Sequence, residues 1–283
     1  MMQKIRLLIL SDLHYNYYGR SWEREGGQNG RIFTGSHMLR AFDAVLNEKS
    51  NEVDHVIIAG DLTNHGNDYE YAPVSNAVSS FTPDKLSIVP GNHDMSTNLI
   101  KNLSRREFRK RFTRFFGRFA QAGRERKDVD PFPYVKKPRE GITIIGLDTT
   151  APILERYRNT PIGFSPSVGA IGDEQLRKLG NTLKSLPEKD HWIIIVMHHD
   201  PFVRQNPWTR LGDLAKFKRL VLSASEKKKI VVVCGHNHNG RIDHYGKNVL
   251  HIQAPAFCGR RTTSKGLYYD ITLNDDLSYE LNL

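Results

Sequence analysis

The chain has 283 residues and two cysteines, Cys234 and Cys258. No disulfide framework can be built from so few, and an intracellular, reducing setting is expected. No stretch approaches the roughly 20 apolar residues that a membrane-spanning helix needs. Lys4 and Arg6 beside Leu7–Leu10 imitate the start of a signal peptide, but the apolar run is too short, has no cleavage site and leads straight into Asp12. It reads as a first β-strand, and the expected location is cytoplasmic. Repeats and low-complexity tracts are absent too, which excludes solenoids and disordered arrays.

What is present is a series of five polar signatures in fixed order: Asp12-Leu13-His14, Gly60-Asp61, Gly91-Asn92-His93-Asp94, His198-His199 and Gly235-His236-Asn237-His238. Most follow an apolar run rich in Ile, Leu and Val: 4–10, 54–59, 86–89, 191–197 and 230–233. Such runs, bounded by Gly, Pro or Asp, mark strands buried on both faces. If the strands lie side by side, their carboxyl ends collect the polar residues in one crevice, where open α/β sheets place their sites. Helices are expected over 36–48, 68–79 and 172–186, with Leu176, Leu179 and Leu183 turned inward in the last. Further strands fit 142–147, 249–253, 266–273 and 278–283. Close spacing of the C-terminal strands predicts hairpin or meander pairing and therefore mixed sheets.

One segment departs from this alternation. Residues 101–127 hold eleven Lys or Arg against Glu107 and Glu125, a difference of +9 out of the chain's formal +10. Leu103, Phe108, Phe112, Phe115, Phe116 and Phe119 recur near helical spacing, so the segment reads as a basic amphipathic helix. The favoured reading is that the Phe stripe packs on the rest of the protein and the charges form a solvated face. The competing reading is a peripheral contact with an anionic membrane through 101–127, or less readily with nucleic acid, for which no recognition module is present. With the proline-rich stretch after it, residues 99–140 read as a helical insertion or cap within a single domain spanning 1–283.

Carboxylates, imidazoles and an Asn amide oxygen suit first-row divalent ions. An Asp at a strand end can bridge two ions with its two oxygens, holding them roughly 3.5–4 Å apart as in two-metal hydrolases. A one-residue gap such as that between His236 and His238 points side chains apart on a regular strand, so these two must sit where the backbone turns. Taken singly, each residue has an ordinary use: an Asp after a strand caps or turns, and Gly-Asn is a common turn. His37, His55, His65, His191, His244 and His251 lie outside the motifs and are read as structural or surface residues.

Together the five motifs resemble the complete signature of the calcineurin-like metallophosphoesterases, and they span Asp12 to His238. The resemblance implies an α/β fold, a four-layer α/β/β/α sandwich with two mixed β-sheets, and two metal ions drawn from Mn, Fe or Zn. It also implies that Asp12, His14 and His238 hold one ion, and Asn92, His198 and His236 the other. Asp61 would bridge them together with a water or hydroxide that attacks phosphorus. His93 would act on the transition state or leaving oxygen, with Asp94 orienting it. Asp200 stands where the family commonly has Pro.

The chain is most similar to the bacterial cyclic-AMP phosphodiesterase-like branch, which implies hydrolysis of a small phosphodiester. Arg260 and Arg261 are candidates for the substrate phosphate, and Tyr15, Asn16 and Tyr17 for the pocket wall. Two alternatives are weighed. One is a peripheral-membrane pyrophosphatase acting on a UDP-linked acylated sugar, with the Phe-rich helix forming an acyl chamber. The other is a non-catalytic scaffold, which would be expected to have lost Asp61, Asn92 or His93; all three are present.

Overall fold

The computed structural model describes residues 4–16, 35–95, 105–120, 131–150, 167–188, 191–202, 209–258 and 267–282. Arg260, Arg261, Tyr17 and Leu103, together with the side chain of Phe108, lie outside what is described. In chain order the elements are β1 (Ile5–Leu10), α1 (Gly35–Lys49), β2 (His55–Ile58), α2 (Asp68–Ala77), β3 (Leu86–Ile88), α3 (Arg105–Phe116) with a 3₁₀ turn (Gly117–Phe119), β4 (Tyr134–Lys136) and β5 (Ile142–Gly146). They continue with α4 (Asp173–Ser185), β6 (Trp192–Val196), α5 (Leu214–Ser225), β7 (Lys229–Cys234), β8 (Arg241–Tyr245), β9 (Val249–Gln253), β10 (Tyr269–Leu273) and β11 (Tyr279–Leu281).

Two mixed sheets result. The first has the order β11-β10-β1-β2-β3, with β1, β2 and β3 parallel and β10 antiparallel to β1. The second has the order β4-β5-β6-β7-β9-β8, parallel in its centre and antiparallel at both edges. Strand side chains alternate between faces, and in β6 this divides the core. Trp192, Ile194 and Val196 join the cluster shared with the first sheet and helices α1, α2 and α3. Ile193 and Ile195 join the cluster formed with Leu176, Leu179 and Leu183 of α4 and Phe217 and Val221 of α5. Helix, sheet, sheet, helix is the four-layer sandwich expected from the motifs.

Most expected elements are observed with ends shifted by one to three residues. Of the expected C-terminal strands, β10 and β11 pair antiparallel in the first sheet, whereas β9 lies in the second and pairs with β8, a strand that the sequence reading did not place. β4 lies in the stretch read as insertion, yet pairs antiparallel with β5 as a sheet edge.

The basic helix is resolved in favour of packing. Phe112, Phe116 and Phe119 are fully buried, and Phe112, Phe115 and Phe116 surround the Tyr71 ring of α2 at centroid distances of 5.4–6.4 Å. The Phe face offered to lipid in the competing reading is therefore not available from these side chains. Several of the charges are used as well. Arg109 pairs with Asp148 after β5, Arg114 pairs with Asp68 at 2.6 Å, and Arg118 donates to the carbonyls of Val78 and Ser79.

Candidate metal centre

The motif residues leave the strands through an unusual backbone. Asp12, His14, Asp61, His236 and His238 all have positive φ, between 45° and 72°. Non-glycine residues adopt this region rarely, and where they do the surrounding structure must hold them there. Here the loops hold one another. Asp12 N–H donates to the Gly60 carbonyl at 3.0 Å, His14 N–H to the Asp61 carbonyl at 2.9 Å, and Gly235 N–H to the His198 carbonyl at 3.0 Å. Positive φ also resolves the spacing of His236 and His238, which turn rather than alternate.

Glycine is required at two of these turns by close approach. A Cβ on Gly91 would stand 2.2 Å from Asp61 Oδ1, and one on Gly235 would stand 1.9 Å from Ser11 Oγ and 2.6 Å from Asp12 Oδ2.

The side chains form two adjoining groups. In one, His14 Nε2 and His238 Nε2 face each other at 3.2 Å, and Asp12 Oδ1 lies 3.3 Å from His238 Nε2 and 3.7 Å from His14 Nε2. In the other, His198 Nε2 lies 3.1 Å from Asn92 Oδ1 and 3.3 Å from His236 Nδ1. Asp61 Oδ2 belongs to both, at 3.6 Å from His14 Nε2 and 3.2 Å from His198 Nε2. Bridging through two carboxylate oxygens was expected; instead Oδ2 alone faces both groups, because Oδ1 accepts the His93 N–H at 2.8 Å.

These atoms fit cations. His198 Nδ1 lies 2.8 Å from the Ala59 carbonyl; a carbonyl only accepts, so Nδ1 carries the proton and the Nε2 lone pair turns inward. Asp12 Oδ1 is buried and has no hydrogen-bond partner among the described residues. A buried carboxylate oxygen left so is costly unless a positive charge meets it.

The ionisation of the site follows the same balance. Burial raises the carboxyls of Asp12 and Asp61, yet His238 beside Asp12, and His198 and His93 beside Asp61, hold both well below the usual range. Burial works against charge on His198, but the Asp61 and Asp12 carboxylates lift it to about 9, so an ion taking the Nε2 lone pair would displace a proton from it. His236, buried and beside His198, falls to about 4, and His14 is lowered by burial. The two carboxylates are thus held ionised, while burial keeps His14 and His236 neutral, with ring lone pairs available.

All seven expected ligands, Asp12, His14, Asp61, Asn92, His198, His236 and His238, converge. His93 stands beside them, its ring centroid 4.5 Å from that of His14, with Nδ1 3.0 Å from the Asn64 carbonyl. The expected role of Asp94 needs correction. Asp94 does not orient the His93 ring; it accepts N–H groups of Leu62, Thr63 and Gly91 at 2.9–3.2 Å and so ties the Asp61 loop to the Asn92 loop. The Asn64 carbonyl positions His93, and a backbone group gives no signal in a sequence. His199, adjacent to His198, lies wholly buried against the His236 ring at 4.4 Å, with Nδ1 2.8 Å from Thr149 Oγ1. Cys258 was not singled out by sequence, yet its Sγ lies within 4.8 Å of ligand nitrogens of both His14 and His238.

Comparison with known proteins agrees with this arrangement. A probable glycerophosphodiester phosphodiesterase GpdQ of Arcobacter nitrofigilis is 24% identical over 195 residues, covering 68% of this chain and 59% of its own length. The chain therefore matches well under two thirds of that relative. A dimetal phosphatase from Danio rerio superposes with a TM-score of 0.66 at 15% identity, covering 98% of both chains. Purple acid phosphatase PPD1 from yellow lupin (Lupinus luteus) seeds superposes with a TM-score of 0.52 at 11% identity, over 99% of this chain and 52% of that one. At such identities the superpositions speak to the fold. The profile of the calcineurin-like phosphoesterases matches residues 5–240, a range that contains every motif from Asp12 to His238. With the fold and that match in agreement, the chain belongs to the calcineurin-like phosphoesterases, metal-dependent hydrolases of phosphoric esters built around a dinuclear centre.

Proposed function

We propose that the chain is a phosphodiesterase for a small phosphodiester, of cyclic-nucleotide-like size. Asp12, His14 and His238 would hold one ion, Asn92, His198 and His236 the other, with Asp61 available to both. The observation that carries this reading is Asp61 Oδ2, placed between the two imidazole groups at 3.6 and 3.2 Å. When bound, the two ions neutralise phosphoryl charge and make a water nucleophilic near neutral pH.

The chain's own groups do the rest. The Ala59 carbonyl fixes the His198 tautomer, and Asp94 keeps the Asp61 and Asn92 loops in register. His93 gives its Nδ1–H to the Asn64 carbonyl, and as the imidazolium, with a second proton on Nε2, it would pass that Nε2 proton to the departing ester oxygen and be left neutral. The diester preference is supported by the likeness to the Arcobacter glycerophosphodiester phosphodiesterase. The UDP-linked acylated sugar reading drew on a Phe-lined acyl chamber, and Phe112, Phe116 and Phe119 are already occupied in the protein core.

The test compares bis-p-nitrophenyl phosphate with p-nitrophenyl phosphate after reconstitution with Mn²⁺. Diester turnover exceeding monoester turnover, and vanishing in Asp61→Ala, is the expected result. Faster monoester turnover would remove the diester assignment, and undiminished activity in Asp61→Ala would remove the shared-carboxylate assignment.

A further inference from the structure

The two halves of the centre differ in what closes them. Around Asn92, His198 and His236, the neighbouring side chain is an imidazole, His199. On the other half it is a thiol. The Cys258 Sγ and one ligand nitrogen each from His14 and His238 all lie within 4.8 Å of one another. The Cys258 N–H donates to the Asp12 carbonyl at 3.1 Å, and the preceding Phe257 N–H to the Ser11 carbonyl at 2.9 Å. The segment after β9 is therefore pinned to the very turn that presents Asp12 and His14. Cys258 is half-buried at this edge, and the buried Asp12 Oδ1, which lacks a hydrogen-bond partner among the described residues, lies 3.3 Å from His238 Nε2 in the same group.

We propose that Cys258 supplies a thiolate ligand to the ion held by Asp12, His14 and His238, which makes the two ion sites chemically unequal. This rests on the dinuclear reading above. Metal–nitrogen and metal–sulfur bonds of about 2.0–2.1 and 2.3 Å set ligand atoms roughly 3.5 Å apart around a tetrahedral ion, and the three atoms here, all within 4.8 Å of one another, reach that by side-chain adjustment alone. Coordination replaces the S–H bond with an S–metal bond and releases the proton to solvent. A soft sulfur donor favours zinc, iron or cobalt over manganese, so the Asp12 half selects the softer ion and the all-N,O half takes the harder one.

Cobalt tests this directly, because a thiolate ligand gives Co²⁺ a near-ultraviolet charge-transfer absorption that N and O ligands do not. The full chain is stripped of metal under reducing conditions and titrated with Co²⁺, as wild type, Cys258→Ser and Cys234→Ser. The inference expects two Co²⁺ per chain in wild type and a sulfur band that persists in Cys234→Ser and disappears in Cys258→Ser. Loss of the thiol should also weaken one of the two binding steps by at least roughly tenfold.

Two bound Co²⁺ without a sulfur band, or a band that survives in Cys258→Ser, would overturn it. A band lost in Cys234→Ser would also overturn it, assigning the sulfur to the separate buried group of Asp200, Cys234 and His251. No Co²⁺ bound by wild type would instead sink the dinuclear reading itself. Should Cys258→Ser fail to fold, X-ray absorption of the wild-type cobalt protein decides, by the presence or absence of a sulfur shell near about 2.3 Å.

Discussion

Asp61 shows how closely the residues of this site are specified. Its Oδ1 is taken by the His93 N–H and its Oδ2 faces both imidazole groups, so neither an Asn nor a Glu can replace it without losing one function. His93 is placed by the same contact, its Nδ1 is taken by the Asn64 carbonyl, and its ring stands beside the centre, with one nitrogen within 4.8 Å of an Asp61 carboxylate oxygen and of a His14 nitrogen. His93→Ala should therefore keep both ions, as measured by metal analysis, and lose roughly 10²–10⁴-fold in kcat, the range for removing a general acid. Loss of metal in step with activity would move His93 into the ligand set.

Away from the site, His55 gives a prediction in acid. It is buried in β2 with Nε2 2.9 Å from Ser87 Oγ, and burial, with Lys136 nearby, pushes its imidazole down to about 3. The folded chain refuses a proton that the unfolded chain accepts below about pH 6.5. Its contribution is therefore fully present above pH 6.5 and lost as the pH falls toward 3, by about 1.4 kcal/mol per unit at most. His55→Gln should show a shallower fall of Tm between pH 7 and pH 4 than wild type. Parallel profiles would mean that His55 is not the titrating group.

At the scale of elements, strands and helices differ in how plainly they announce themselves. β6 is apolar on both faces, as are β1 and β7 apart from the partly exposed Arg6 and Lys229, and their runs are readable because burial leaves so few polar positions. β8 (Arg-Ile-Asp-His-Tyr) is an edge strand with every residue at least partly exposed, so no hydrophobic period marks it, and its pairing with β9 fixes it instead. α5 buries Phe217, Val221 and Ser225, a single narrow stripe, too thin to stand out within Lys- and Arg-containing sequence.

α3 was legible as an amphipathic helix, but its apolar face has the same pattern whether it meets lipid or protein. Packing around Tyr71 and Phe132 settles that. Phe112→Ala should accordingly cost about 3–5 kcal/mol, the range for a large buried aromatic, seen as a lower urea midpoint. A change below about 1 kcal/mol would show that this face is not part of the core.

For the whole molecule, two sheets that share a core bring together side chains as far apart in sequence as Asp12 and His238. Ions bound only by the folded arrangement add to its stability by mass action, about 2.7 kcal/mol per site at a hundredfold excess over Kd. Chelation should lower Tm, Mn²⁺ or Zn²⁺ should restore it, and Asp61→Ala should show a markedly smaller response to either. An equal response in the variant would indicate that the stabilising ions sit elsewhere.

The sequence by itself determined the strand–loop order, the seven ligand candidates and the family, because buried strands and metal ligands each restrict residue type at known spacing. The glycines at 91 and 235 also belong to it, since nothing larger fits beside Asp61 and Asp12. The tertiary structure alone decided which Asp61 oxygen is shared, that Asp94 braces loops while a backbone carbonyl holds His93, that the Phe stripe packs inward, and that Cys258 borders the Asp12 half. Each depends on the meeting of segments distant in the chain, often through backbone groups that every residue carries, and local pattern holds no record of such meetings.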